Sequence, residues 1–144
     1  KIIQSDKVYF GEKDFQQIKI VQKLIEEKFP NLHLQSVPTF RSTEGIALSS
    51  RNQKLNKKQF NELIIFNSNV RDFMGGLEPN MKIIEGNKKA KEFIRSTIGK
   101  FDYFEFRNSQ DLNLSGTLSQ SRLFYAIYIG KVRLIDNFTL NSSK

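Results

Sequence analysis

Cysteine is absent from all 144 residues. No disulfide can form, and no thiolate metal site can be built. The absence fits a reducing compartment, and the expected location is the cytoplasm. Histidine occurs once, as His33, which excludes a multi-histidine metal centre. His33 lies in a strand-like run and reads as a surface or core-edge residue. Prolines number three, and each punctuates an element: Pro30 after a helix, Pro38 after a strand, Pro79 after a second helix. No apolar run approaches the roughly 20 residues that span a bilayer, so no membrane partner is expected. The opening Lys1-Ile2-Ile3-Gln4 is soon followed by Ser5-Asp6-Lys7, which is not a signal-peptide pattern. The chain starts without Met and almost inside a strand, so a fragment of a longer protein is expected. P-loop and Rossmann glycine fingerprints are missing, as is a Gly-x-Ser-x-Gly elbow.

Apolar residues make up 38% of the chain and include thirteen phenylalanines. That is enough core for one ordinary domain or two small ones. The formal charge of +8 is uneven: residues 1–50 sum to +1 and residues 51–144 to +7. A basic half suggests a polyanion, either nucleic acid or nucleotide phosphates. The lysines are scattered, however, and no arginine-rich stripe appears, so a solvated lysine surface is the simpler explanation.

Lys7–Phe10 reads as the end of a buried strand, broken by Gly11. Phe15, Ile18, Val21, Leu24 and Ile25 fall at helical spacing, and residues 32–37 alternate as a strand. Strand–helix–strand with a helical crossover belongs to a parallel α/β sheet. Residues 41–55 read as a polar loop. Asn56 is the expected N-cap of the next helix, with Gln59 three positions on. Phe60, Leu63, Ile64, Val70 and Phe73 form its inner face, and Gly75-Gly76 its end. A helix over 88–98 is expected, with Ala90, Phe93, Ile94 and Ile98 inward. Strands are expected over 101–106, 122–129 and 132–135, the last two joined at Gly130-Lys131. The fold class is therefore α/β, a parallel strand–helix–strand followed by an α+β half with an antiparallel sheet. The boundary is expected in the loop near residues 41–48 and is placed at 46/47.

Two short polar motifs can carry chemistry. The first, Gly11-Glu12-Lys13-Asp14-Phe15-Gln16-Gln17, sits where a strand ends and a helix begins. Asp14 suits an N-cap, with Gln17 completing a capping box. The same place, at the carboxyl end of a parallel strand, is where α/β sheets bind ligands, and a helix N-terminus favours phosphate. Lys13 adds a positive charge. The second motif, Leu48-Ser49-Ser50-Arg51-Asn52, offers two hydroxyls and a guanidinium that can hold two phosphate oxygens. Taken alone it also reads as a serine-capped turn with a surface arginine. Asp102 and Glu105, three apart on a strand, are expected on opposite faces and not as an acid–base pair. Phe101, Tyr103, Phe104 and Phe106 read as core, not as a base-stacking platform.

Phe10-Gly11-Glu12-Lys13-Asp14-Phe15-Gln16-Gln17 resembles the signature of the pantothenate synthetase (pantoate–β-alanine ligase) family. So do Val37-Pro38-Thr39-Phe40-Arg41, Gly45–Asn52 and the terminal Gly130–Asn137, all in register. The resemblance implies a nucleotidyltransferase-superfamily fold, like that of class I aminoacyl-tRNA synthetases. It also implies ATP-dependent joining of pantoate to β-alanine through a pantoyl adenylate, releasing AMP and pyrophosphate. It implies that Gly11, Glu12, Lys13 and Asp14 line ATP and that Gln17 holds pantoate. Phe40 would lie against adenine, and Leu48, Ser49, Ser50 and Arg51 would close over ATP. Lys13, Ser49 and Arg51 are the implied catalytic groups, acting on phosphate oxygens. Mg²⁺ is implied with the triphosphate, and no metal site on protein side chains. Residues 1–46 would be the last strand–helix–strand of a Rossmann-like nucleotidyltransferase domain, completing its nucleotide-binding part, and 47–144 would form a small α+β lid domain. The implied partners are small substrates, with no nucleic acid, and a homodimer in the complete enzyme. The family's His-x-Gly-His motif is absent here, so the chain reads as the C-terminal half of the enzyme and as inactive alone. The alternative is a non-catalytic basic domain that binds RNA or another polyanion.

Overall fold

A computed structural model describes residues 5–97 and 99–140. These fall into two compact units, one ending at Phe40 and the other beginning at Arg41. The division precedes the expected 46/47 boundary, and residues 41–46 lie with the second unit. The reason is physical: Arg41 forms an ion pair with Asp136 at 2.6 Å, which draws the start of the segment into the second core.

In the first unit, β1 (Lys7–Gly11), α1 (Phe15–Lys28) and β2 (His33–Val37) form the expected strand–helix–strand. The strands are parallel, with Lys7 opposite His33 and Gly11 opposite Val37. A 3-10 turn, Glu12–Asp14, joins β1 to α1. Only Ile18 and Ile25 of the predicted α1 face are fully buried, while Leu24 is 48% exposed. Two strands of five residues offer too narrow a platform to cover the whole apolar stripe.

The second unit places α2 (Lys57–Gly75) and α3 (Ile83–Ser96) with β3 (Lys100–Asn108), β4 (Ser121–Ile129) and β5 (Val132–Thr139). The sheet is antiparallel in the order β3-β4-β5. One apolar cluster joins Leu63, Phe66, Val70 and Met74 of α2, Ile83 and Ala90 of α3, and sheet residues including Phe104, Phe106, Leu123, Tyr125 and Phe138. Phe104 stacks on Phe93 with ring centroids 5.2 Å apart and on Tyr125 at 6.0 Å. Phe104 and Phe106 are core, as expected, so neither is offered to a nucleic acid.

Helix α2 begins as its sequence dictates. The Asn56 side chain accepts from the Gln59 backbone N–H at 2.9 Å, and Gln59 Oε1 accepts from the Asn56 N–H at 3.0 Å. Asn56→Ala is expected to cost the second unit about 1 kcal/mol, readable as a lowered urea midpoint with an unchanged m-value.

Helix α3 starts at Ile83, not at residue 88, and Ile98 lies outside the described residues. Gly86 and Asn87 are poor helix formers, which hides the first turn in the sequence. Tertiary contacts override that propensity. A Cβ on Gly86 would stand 2.6 Å from Leu118 Cδ2, so glycine permits close approach of the helix. Asn87 donates to Phe106 O at 3.0 Å and accepts from Phe106 N at 2.7 Å, occupying backbone groups of an edge strand.

Strand β5 runs past residue 135 to Thr139. Asp136 and Asn137 look like a strand end in sequence, yet they are 6% and 2% exposed and pair across to Tyr125 and Phe124. Asp102 and Glu105 also differ from expectation. A bulge between Phe101 and Tyr103 breaks the strict alternation of faces. Each carboxylate is engaged by an arginine, Asp102 by Arg133 at 2.8 Å and Glu105 by Arg107 at 2.9 Å.

Tyr125 is fully buried, and its hydroxyl is pushed well above the ordinary tyrosine range, first by desolvation and then by the Asp136 charge. Tyr103 shifts the same way, also mainly by burial. Below about pH 10 both rings are neutral whether the chain is folded or not, and their contribution is fully present. Above it the unfolded chain loses protons that the folded one keeps, so stability falls as pH rises. For the fully buried Tyr125 the expected loss is about 1.4 kcal/mol per pH unit between its unfolded and folded titration ranges, and Tyr103 acts in the same direction. Tyr125→Phe should flatten the alkaline limb of a stability–pH curve.

Candidate functional site

The first-motif residues gather at the carboxyl edge of the β1–β2 pair, where Gly11 stands opposite Val37. Gly11 has φ −73° and ψ 132°, and a Cβ there would meet nothing within 4 Å. The packing within the chain therefore does not require glycine, and the strand end is left open to approach. Asp14 occupies the N-cap position of α1 but makes no side-chain cap, which corrects the expected capping box with Gln17. The 3-10 turn supplies the bend instead. Ser36 Oγ donates to Glu12 Oε1 at 3.3 Å, tying the turn to β2. Asp14 and Gln17 are exposed and Lys13 is half-buried at this edge. Phe40 follows β2 and is 78% exposed, the largest value among the exposed apolar side chains described.

The second motif is more ordered than a flexible loop. Arg41 and Ala47 form an isolated antiparallel bridge. Ser42 N–H donates to Ile46 O at 2.9 Å, and Gly45 N–H to Ser42 O at 2.8 Å. Gly45 has φ +78°, where a side chain would be strained. The exposed Glu44 carboxyl is held below its usual range, first by the Ser42 hydroxyl, then by its own backbone and Thr43. Ser49 then caps a 3-10 helix, Ser50–Lys54, accepting from Arg51 N–H at 3.2 Å. The serine-capped turn is thus real. It leaves Ser50 and Arg51 exposed and Leu48 53% exposed. Among the described residues no carboxylate pairs with Arg51. Leu48, Ser49 and Ser50 line an open cleft of about 560 Å³ with Ser42, Ile46, Asn52, Gln53 and Phe60.

Among the described residues, the two motifs offer Lys13 and Arg51 as cations, serine hydroxyls and backbone N–H groups. Such groups can hold and neutralise phosphate oxygens. Among the described residues no cluster of three His, Cys, Asp or Glu side chains could cage a metal ion. Mg²⁺ characteristically arrives on substrate phosphates rather than in an all-protein site. No described helix is long and apolar enough to cross a membrane.

Sequence reasoning gave no role to Arg41 or Asp136. Their pairing bridges 95 residues. The available signal was that each falls inside a motif of the resemblance.

Comparison with known proteins agrees with these observations. The family model described as pantoate–β-alanine ligase matches residues 1–139. The chain is 37% identical to pantothenate synthetase of Clostridium botulinum strain Loch Maree over 143 residues, covering 96% of this chain and 50% of that protein. It is similar to the crystal structure of pantothenate synthetase from Thermus thermophilus, with a TM-score of 0.80, 27% identity and coverage of 95% of this chain and 50% of that one. It is also similar to the Francisella tularensis pantoate–β-alanine ligase complexed with β,γ-ATP and β-alanine, with a TM-score of 0.64, 33% identity and coverage of 94% and 44%. The chain thus spans about half the length of these relatives. It belongs to the pantoate–β-alanine ligase family.

Proposed function

We propose that the protein carrying this chain is an ATP-dependent ligase that condenses pantoate with β-alanine, and that this chain supplies its triphosphate-holding side. In the first step the pantoate carboxylate attacks the α-phosphorus of ATP, giving pantoyl adenylate and releasing pyrophosphate. In the second the β-alanine amine attacks the acyl carbon, the amide forms and AMP leaves. Lys13 and Arg51 neutralise triphosphate oxygens as charge moves onto pyrophosphate. Ser49 and Ser50 offer hydroxyl and backbone N–H donors. Gly11, Glu12 and Asp14 line the nucleotide, Gln17 orients pantoate, and Phe40 and Leu48 give the adenine apolar surface. Mg²⁺ would accompany the triphosphate and share its charge. The first unit carries the nucleotide-binding role and the second acts as a lid. No protein nucleophile is needed, because positioning and charge stabilisation suffice for acyl-phosphate chemistry of this kind.

One observation carries the reading: four of the groups suited to a ligand, one polar and one apolar from each motif region, are left exposed or without the cap role their place suggests. Phe40 and Leu48 are exposed, Asp14 makes no cap, and Arg51 is exposed. The chain has one histidine, so a motif of two histidines must come from elsewhere in the enzyme. This chain alone is therefore expected not to turn over, and the complete enzyme is expected to be a homodimer in the cytoplasm.

Nucleotide-selective protection tests the reading. ATP should raise the unfolding midpoint of the protein and slow exchange of the residue 48–53 amides more than inorganic triphosphate does at the same ionic strength, since both are screened by salt but only ATP carries the adenosine. A generic polyanion domain would instead bind RNA with affinity falling steeply as salt rises, and that outcome would displace the ligase reading.

A further inference from the structure

We propose that the Arg41–Asp136 ion pair is a positioning device for the Ser49–Arg51 loop, so that strand β5, remote in sequence, sets the register of the phosphate-holding groups. The proposal rests on the ligase reading above and adds two residues with a defined role.

Both terminal nitrogens of the Arg41 guanidinium are engaged. It donates to Asp136 Oδ2 at 2.6 Å and Oδ1 at 3.1 Å, to Gly45 O at 3.1 Å and to Asn137 O at 3.1 Å. Its face lies 4.3 Å from the Phe138 ring centroid. Asp136 also accepts from the Asn137 N–H at 2.8 Å. The side chains are 24% and 5% exposed. A guanidinium held by a carboxylate at two points, two carbonyls and a ring is a fixed point, not a mobile phosphate ligand.

The contacts run from that fixed point to both shoulders of the loop. Upstream, Arg41 binds Gly45 O, and the tip of the hairpin is held a second time, because Glu44 O accepts from Asn67 Nδ2 at 3.1 Å and Arg71 Nη2 at 3.0 Å. Ile46 and Ala47 are then 4% and 5% exposed. Downstream, Asn52 Nδ2 donates to Ala47 O at 3.1 Å, spanning the Leu48–Arg51 segment. The candidate phosphate loop is therefore short, and both its ends hang on a hairpin that the β5 carboxylate secures. Buried ion pairs contribute little net stability compared with apolar replacements but fix geometry where one arrangement is required. Phosphoryl chemistry requires it, since a displacement near 1 Å can cost about a hundredfold in rate.

The test uses the complete protein and three variants: Asp136→Asn, Arg41→Lys and, as a control, Ile83→Ala in the buried start of α3. Asp136→Asn removes the charge, and Arg41→Lys keeps the charge but loses the fork, so one remains if the other fails to fold. The pair variants should lower kcat/KM for ATP by about tenfold to a hundredfold and speed amide exchange across residues 42–53. Ile83→Ala should lower the unfolding midpoint at least as much while leaving both readouts unchanged. Lower stability with unchanged kcat/KM for ATP and unchanged loop exchange in both pair variants would overturn the proposal. If the unsubstituted protein does not use ATP at all, the ligase reading fails. Amide exchange still decides the anchoring in that case, and unaltered exchange over 42–53 would refute it.

Discussion

Arg51→Ala is expected to lower pantoate-dependent ATP–pyrophosphate exchange by about 10²- to 10³-fold in the complete enzyme, the loss typical of removing one preorganised donor from developing charge. The unfolding midpoint should barely move. Arg51 is exposed, and the 3-10 helix it sits in is capped through its backbone N–H, not through its side chain. Substitutions of that kind usually stay within about 0.5 kcal/mol. Arg51→Lys is expected to recover only part of the activity, because an ammonium keeps the charge but not the two-point grip. Full activity in Arg51→Ala would remove this residue from the site. Lys13→Ala should lower exchange in the same direction. Lys13 is half-buried in the turn after β1 and has interactions of its own, which makes Arg51 the cleaner test.

Phe106→Ala is expected to have the largest effect on folding, about 3–5 kcal/mol. Phe106 is 1% exposed and is the largest of the fully buried side chains described. Its ring lies 6.4 Å from that of Phe73, and its backbone is held at both N–H and C=O by Asn87. The truncation would leave a void on which α2, α3 and the sheet converge. Calorimetry or urea titration of the second unit measures the loss. The variant also separates two accounts of the aromatic strand. A ring kept for stacking on bases would be lost with intact stability and weakened RNA binding, whereas the core role predicts a broadly destabilised unit.

The architecture was legible wherever periodicity and punctuation agree. The β1–α1–β2 unit, the capping box at Asn56, the glycines closing α2 and the β4–β5 turn at Gly130-Lys131 are all local signals, and each is present. What sequence alone could not show was tertiary. The first turn of α3 contains Gly86 and Asn87, whose reasons are Leu118 and the Phe106 backbone, far along the chain. Strand β5 runs on through Asp136-Asn137, which look like a stop until Arg41 and Arg122 are seen to satisfy them at 2.6 Å each. The bulge after Phe101 undid the parity argument for Asp102 and Glu105 because alternation holds only while the ladder is regular. At the candidate site the motif residues were legible as chemistry. The missing α1 cap was not, because the preference of an aspartate for an N-cap says nothing about a preceding 3-10 turn. The anchoring pair was not visible either, since no local pattern links residues 41 and 136.

The central claim is that this chain holds the triphosphate during adenylation. Its most direct test is pantoate-dependent exchange of labelled pyrophosphate into ATP, measured on this chain combined with the upstream half of a pantoate–β-alanine ligase. The account predicts exchange that requires both pieces and pantoate and that is lost with Arg51→Ala. Absence of exchange from pieces shown to be folded and associated, or exchange by the upstream half alone, would contradict it.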